Sequence, residues 1–289
     1  MNETSPTRIA VLGLGTMGSA FARRAADAGL RVTAWDRNPE RETALANERV
    51  QAARSAQEAA RDADAVVTMV ADAEAVLSVM HERDAFIAMK DGAAWVQMST
   101  IGVEGTERAM RLAATRPEIT FIDAPVSGSK GVAEQGKLVV LASGDRNRAG
   151  VAVQRFFETI AAQVHWLGKA GEGTRMKLLF NAWIGILIED VAEVATLAHA
   201  LEIDPRRFAE LAQGGPLVPP WALQKLAKIT EGRTTETEFA LRWAEKDLRL
   251  ALSAAGEARR RLPALNEIAM TWADALHDFG GDDISAVYL

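Results

Sequence analysis

The sequence predicts an α/β protein in two parts: a doubly wound, mostly parallel sheet with helices on both faces, followed by a second, all-helical domain. Two observations predict it. Short β-branched runs alternate with helical stretches through the first half, and after about residue 168 the strand signals stop. A length of 289 residues suits two domains, and 48% hydrophobic with 25% charged residues gives ample material for packed cores.

Strands are expected at 8–14, 31–35, 65–70, 94–98, 120–122, 138–142 and 164–167. Several are almost continuously apolar, as strands covered on both faces must be. Met69, Trp95, Met98, Phe156 and Phe157 fall on strand or helix faces and are expected in the core. The second domain starts with one long helical pattern over 174–202. Asp204-Pro205 then opens a helix, Gly214-Gly215-Pro216 breaks the chain, and further helices are expected at about 239–260 and 263–278. Gly168 to Gly173 forms the hinge, giving domains at 1–168 and 169–289. Trp221, after Pro219-Pro220, is read as core or as the wall of a pocket.

A formal charge of −6 argues against general nucleic-acid or anionic-membrane binding. The absence of cysteine excludes disulfides, thiolate ligands and a cysteine nucleophile, and suits a reducing cytoplasm. The opening MNETSPTR carries Glu3 and lacks the apolar core of a signal peptide. The run 178–188 is too short for a membrane span and reads as a buried helix. His81, His165, His199 and His277 lack ligand spacing, so no metal site is expected.

The first strand runs into Gly13-Leu14-Gly15-Thr16-Met17-Gly18, a G-x-G-x-x-G that opens a helix over 19–28. Such glycines permit a tight turn, close approach of backbone to a pyrophosphate, and close helix-to-strand packing. Asp36 ends the second strand 23 residues after Gly13, where a carboxylate would accept hydrogen bonds from an adenosine ribose. Strand, glycines, helix, strand and acid in this order predict a Rossmann-type dinucleotide site. Asp36 would repel a ribose 2′-phosphate and favours NAD; Arg37 would hold that phosphate, stack on adenine, or lie in solvent, so NADP stays open.

The stretch GEGTRMKLLFN sets a lysine against the local rules. With Thr174 read as the N-cap, Lys177 falls at the third helical position, where a capping box prefers Glu or Gln and the dipole disfavours a cation. Three other stretches stand out: Ser99-Thr100, Asp123 to Ser129, and Lys246-Asp247-Leu248. The first two follow strands, where open parallel sheets bind ligands.

In these motifs the sequence resembles the β-hydroxyacid dehydrogenase family, which includes 3-hydroxyisobutyrate dehydrogenases, tartronate semialdehyde reductases and glyoxylate or succinic semialdehyde reductases. The match runs nearly end to end and in order: VLGLGTMG, WDRNP, MSTIG, DAPVSGSKGVAEQGKL, GEGTRMKLLFN and KDLRLAL. The resemblance implies that Lys177 is the catalytic lysine, with Asn181 orienting substrate or lysine. It implies that Ser127, Gly128 and Ser129 hold the carboxylate of a small substrate. Gly13, Leu14, Gly15, Thr16, Met17, Gly18, Asp36, Arg37, Val70, Ala71, Thr100 and Lys246 would line the NAD or NADP site, and the protein would form a homodimer or larger oligomer. The chain departs from the family's pattern in carrying Ser129 for a glycine, Ala182 for an asparagine, and Val70-Ala71 for the usual Leu-Pro.

Burial between the domains and a nearby helix N-terminus would both disfavour the charged lysine and suit a general acid or base near neutral pH. Each assignment has a structural rival: Lys177 snorkelling to solvent, Asn181 satisfying a backbone group, Ser127 capping the next turn, Lys246 exposed on its helix. Imine reductases share the two-domain plan but generally lack the lysine and the carboxylate loop. A non-catalytic dinucleotide-binding protein need not keep Ser127, Lys177 and Asn181. A 6-phosphogluconate dehydrogenase is longer and carries histidine where this chain has Phe180.

Overall fold

The computed structural model describes residues 6–45 and 49–288, so the reading of residues 1–5 lies outside the described residues. By internal contacts the chain divides into two units, Met1–Lys177 and Leu178–Leu289.

Among the described residues, the first unit holds a nine-stranded sheet. Its strands are β1 (Arg8–Leu12), β2 (Arg31–Trp35), β3 (Val50–Ala52), β4 (Ala65–Thr68), β5 (Ala94–Gln97), β6 (Thr120–Asp123), β7 (Val126–Ser127), β8 (Leu138–Gly144) and β9 (Ala161–Trp166). The order is β3-β2-β1-β4-β5-β6-β8-β7, with β9 paired to β8. Strands β1 to β6 are parallel to one another; β8 runs antiparallel to β6 and β7 and parallel to β9. The chain steps outward from β1 to β3 and returns to place β4 on the other side of β1. This puts the topological switch point at the end of β1.

Both faces of the central strands are buried, which explains their apolar sequences. Ile9 and Val11 of β1 join Ala65 and Val67 of β4 and Ala94 and Val96 of β5 in one cluster. The alternate residues Ala10, Leu12, Val66 and Trp95 lie in a second cluster on the opposite face. Trp95, Met98, Phe156 and Phe157 are buried as expected, and Met69 packs half-buried against the first cluster.

Several boundaries differ from the sequence reading. β1 ends at Leu12 because Gly13 has a φ of +99°, and β4 ends at Thr68 before a turn. β3 and β7, three and two residues long, are too short to show a period. β9 starts at Ala161, directly after the helix Arg146–Ile160; its mixed exposure hides it from an apolar-run criterion.

A single helix, Glu172–Ala200, runs through the boundary between the units in sequence. It begins two residues before Thr174, which is therefore not its N-cap. The helices of the second unit that follow are Pro205–Ala212, Pro220–Thr230, Leu241–Ala254 and Pro263–Phe279. Asp204 caps the first of these, accepting from the Arg206 N–H at 2.9 Å. The helix Pro220–Thr230 was hidden by Pro219-Pro220, since proline at a first helical position reads equally as a break. Trp272, Leu248, Ile188 and Leu241 centre the helical core, and Trp221 packs half-buried against it. The run 178–188 is not a buried helix throughout. Leu178 and Ile188 are buried, but Leu179 and Trp183 are 66% and 58% exposed. No helix among the described residues is long and apolar enough to cross a membrane.

The helical unit is tied by a buried ionic cluster. Asp283 is fully buried; Lys225 Nζ lies 2.8 Å from its Oδ1, and Lys228 Nζ lies 3.5 Å from its Oδ2. The backbone N–H of Glu238 also donates to Oδ2 at 3.0 Å. Burial pushes the Asp283 carboxyl up, but the hydrogen bond and charge of Lys225, with Glu238 N–H and the Ser285 hydroxyl, outweigh it and hold it below the ordinary value. Replacing Asp283 by alanine should cost about 3 kcal/mol, because two buried ammonium groups lose their buried carboxylate and keep only the exposed one of Glu238. Calorimetry should show a lower-melting transition; an unchanged melting profile would refute the cluster's role. Since the folded carboxyl is held below its unfolded value of ~3.9, its contribution is complete above that pH and is lost as pH falls through the folded value.

Candidate functional site

The end of β1 builds a cradle from glycines with different tasks. Gly13 combines its positive φ with a close approach, since a Cβ there would meet Met69 O at 2.4 Å. A Cβ on Gly18 would meet Gly13 O at 1.9 Å. Gly15 faces neither constraint: its φ is −69° and nothing lies within 4 Å of a Cβ built on it. It sits at the N-cap of the helix Thr16–Asp27, which has no side-chain cap, so open space borders an uncapped helix N-terminus. That space fits a pyrophosphate, and a side chain would intrude on it. Leu14 and Gly18 are buried, Met17 is half-buried and Thr16 is exposed.

At the end of β2, Asp36 is buried and its carboxylate is committed to the turn. Oδ2 accepts from Leu14 N–H at 2.7 Å and Oδ1 from Asn38 N–H at 2.9 Å. Each oxygen keeps a second lone pair, so the group retains capacity for ribose hydroxyls. Two neighbours were missed from sequence. Arg41 Nη1 lies 3.6 Å from Asp36 Oδ2, and Glu42 Oε1 accepts from Asp36 N–H at 2.7 Å. Burial, with the negative charge of Asp36, pushes the Glu42 carboxyl up against the pull of that N–H. Arg37 is exposed.

The loops after β4 and β5 are joined. Ser99 Oγ accepts from Val70 N–H at 2.8 Å, while the Gln97 side chain accepts from Ser99 N–H and donates to Ser99 O, each at 2.8 Å. This holds Val70, Ala71 and Thr100, all half-buried, at neighbouring strand ends. After β6, Ser127 lies on β7 opposite Val139, followed by exposed Gly128. Ser129, not Ser127, precedes the short helix Lys130–Glu134, and it makes no side-chain cap.

Asp123, whose long-range partners the sequence did not reveal, ends β6 fully buried. Its Oδ2 accepts from Thr174 N–H at 2.8 Å and faces Ser143 Oγ of β8 at 3.1 Å; its Oδ1 lies 2.7 Å from Thr174 Oγ1. Ser143 Oγ in turn accepts from Gly173 N–H at 2.9 Å. The first N–H groups of the long helix are thus capped by side chains of two strands. Lys177 follows as the sixth residue of that helix, half-buried. The dipole acts within the first turn, so the sequence argument that placed Lys177 against it is corrected.

Asn181 is one turn beyond Lys177, on the same side of the helix. Within the helical unit its Nδ2 donates to Asp247 Oδ2 at 2.5 Å, so it serves a side chain rather than a backbone group. Its Oδ1 is buried with no hydrogen-bond partner among the described residues. Lys246 is not an exposed lysine: its side chain is 14% exposed, with Nζ 3.0 Å from Asp247 Oδ1 and 5.9 Å from the Trp243 ring centre. Asp247 was legible in principle, because it and Glu245 are acids buried beside the apolar stripe of Leu241, Ala244, Leu248 and Leu252.

Residues 8–168 match the family described as the NAD binding domain of 6-phosphogluconate dehydrogenase. Residues 171–289 match the NAD-binding domain of NADP-dependent 3-hydroxyisobutyrate dehydrogenase. Among curated relatives, glyoxylate/succinic semialdehyde reductase 2 of Arabidopsis thaliana is 30% identical over 92% of this chain and 75% of its own length. The human cytokine-like nuclear factor N-PAC is 29% identical over 97% of this chain, which spans about half (51%) of that protein. The crystal structure of a 3-hydroxyisobutyrate dehydrogenase from Salmonella typhimurium superposes with a TM-score of 0.86 at 28% identity, covering 98% of this chain and 99% of that one. With family models matched over both halves and the glycine cradle, DAPVSG loop and Lys177-Asn181 helix in order, the chain belongs to the β-hydroxyacid dehydrogenase family.

Proposed function

We propose that this chain is an NAD(P)-dependent oxidoreductase acting on a small β-hydroxyacid or the matching semialdehyde. The observation that carries this reading is Lys177 and Asn181 one turn apart on one helix, with the Asn181 amide fixed by Asp247 and its oxygen left to accept. When bound, the nicotinamide supplies the hydride chemistry. Lys177 holds the proton that the substrate oxygen gains in reduction and takes it in oxidation. Asn181 Oδ1 accepts from the lysine or from a substrate hydroxyl and fixes its direction. Ser127, with the loop Gly128-Ser129, binds the carboxylate. Residues 1–168 form the dinucleotide-binding part, with Gly13 to Gly18, Asp36, Arg37, Val70, Ala71 and Thr100 lining the cofactor. Residues 169–289 supply the substrate side, with Lys246 reaching the cofactor. Asp36 and Glu42 place two carboxyl groups at the ribose end, which supports NAD over NADP. A reducing compartment such as the cytoplasm suits a chain without cysteine.

The panel that tests the chemistry follows nicotinamide absorbance with NADH and NADPH against glyoxylate, succinic semialdehyde, tartronate semialdehyde and a cyclic imine, and with NAD and NADP against 3-hydroxyisobutyrate. A carboxylate-bearing substrate should turn over. Lys177→Ala should lower kcat by roughly 10²–10⁴-fold while leaving NADH binding intact. Turnover of the imine alone, insensitive to that change, would refute the mechanism. Asp36→Ala should weaken NADH by roughly tenfold and NADPH less; equal losses would mean that Asp36 does not face the ribose. We also propose a homodimer or larger oligomer, supported by the exposed stripe Leu179, Phe180 and Trp183. Light scattering should give at least twice the monomer mass, and Trp183→Asp should reduce it; a wild-type monomer refutes the assignment.

A further inference from the structure

The buried contacts before Lys177 can be counted proton by proton. Three close oxygen pairs form a line: Asp123 Oδ1 to Thr174 Oγ1 at 2.7 Å, Thr174 Oγ1 to Thr106 Oγ1 at 3.0 Å, and Thr106 Oγ1 to Gly102 O at 2.9 Å. All three side chains are buried, at 0%, 2% and 1% exposure. Each threonine hydroxyl brings one proton, and the Gly102 carbonyl brings none. If Asp123 were ionised, two protons would serve three contacts, and one oxygen pair would face lone pair to lone pair. A third proton on Asp123 Oδ1 completes the line: Asp123 donates to Thr174, Thr174 to Thr106, and Thr106 to Gly102 O. The other oxygen, Oδ2, remains an acceptor for Thr174 N–H and the Ser143 hydroxyl.

We propose that Asp123 is a positioning residue that works as a neutral carboxylic acid, its proton heading the line through Thr174 and Thr106 and fixing the first turn of the helix that bears Lys177. Burial pushes its carboxyl up against the hydrogen bonds of Thr174, Ser143 and the Gly171 backbone N–H, in the same direction as the proton count. A neutral acid also puts no negative charge at the start of a helix whose lysine must release a proton. The part of the proposal that concerns Lys177 rests on the catalytic reading above.

Asparagine separates the two charge states, because a carboxamide reproduces the neutral acid's single-sided donor and acceptor but not an acceptor-only carboxylate. On the full chain at neutral pH, the infrared difference between wild type and Asp123→Asn should contain the C=O stretch of a protonated carboxyl group. Asp123→Asn should keep kcat within about threefold and melt close to wild type, whereas Asp123→Ala should melt lower by about 5 °C or more. Thr174→Val should lower kcat by roughly tenfold with NADH affinity unchanged, and Thr174→Ser should restore it. Absence of the protonated-carboxyl band, or Asp123→Asn as damaging as Asp123→Ala, overturns the neutral acid. Full kcat in Thr174→Val, or equal losses in Thr174→Val and Thr174→Ser, overturns the positioning role. If Lys177→Ala retains turnover, the catalytic reading fails, while the infrared band still decides the state of Asp123.

Discussion

Burial of the sheet's central strands on both faces is the constraint from which the rest of the first unit follows. A strand with apolar clusters above and below offers no solvated face for chemistry, so polar function is confined to strand ends and the loops beyond them. Those loops carry backbone groups that the sheet no longer pairs, and each must find another partner. The solution recurs: one polar side chain at a strand's last residues serves the neighbouring turn. Asp36 does this after β2 for Leu14 and Asn38, Gln97 after β5 for Ser99, and Asp123 after β6 for Thr174. The residues that shape the ligand-binding edge are therefore also those that close the fold.

This double duty sets what was legible. The apolar strands, the glycine turn and the acid after β2 are local signals, and the sequence order β1 to β6 with helical crossovers led to the observed doubly wound sheet. The Gly13 and Gly18 requirements are steric and local, so the spacing alone carried them. Arg41 and Glu42 were invisible because the turn that brings them to Asp36 leaves no periodic trace. The Asp123 array was invisible for a stronger reason: its partners lie 20 and 51 residues away, and no local pattern joins them.

The helical unit shows the converse. Its long helix was read correctly as a helix and wrongly as buried, because composition cannot tell an apolar residue facing a core from one facing outward. Leu178 and Ile188 point inward while Leu179 and Trp183 do not. Asp247, buried with Glu245 beside an apolar helical stripe, was an informative exception, because an unpaired charge there would be costly. Its partners Asn181 and Lys246 supply the compensation, and both belong to motifs that the family resemblance had selected for other reasons.

The placement of Lys177 changes what must tune it. At the third helical position the helix N-terminus would oppose its charge; at the sixth, that influence has faded. The burden moves to the groups that anchor the first turn, and Asp123 anchors it through Thr174. An ionised carboxylate would stabilise the lysine's ammonium form, in opposition to proton release, whereas a neutral acid supplies the hydrogen bonds of a cap without that field. A strand-borne acid kept neutral by its burial thus permits two demands to be met together: a firmly anchored helix start, and a lysine whose proton is not held by the group that anchors it.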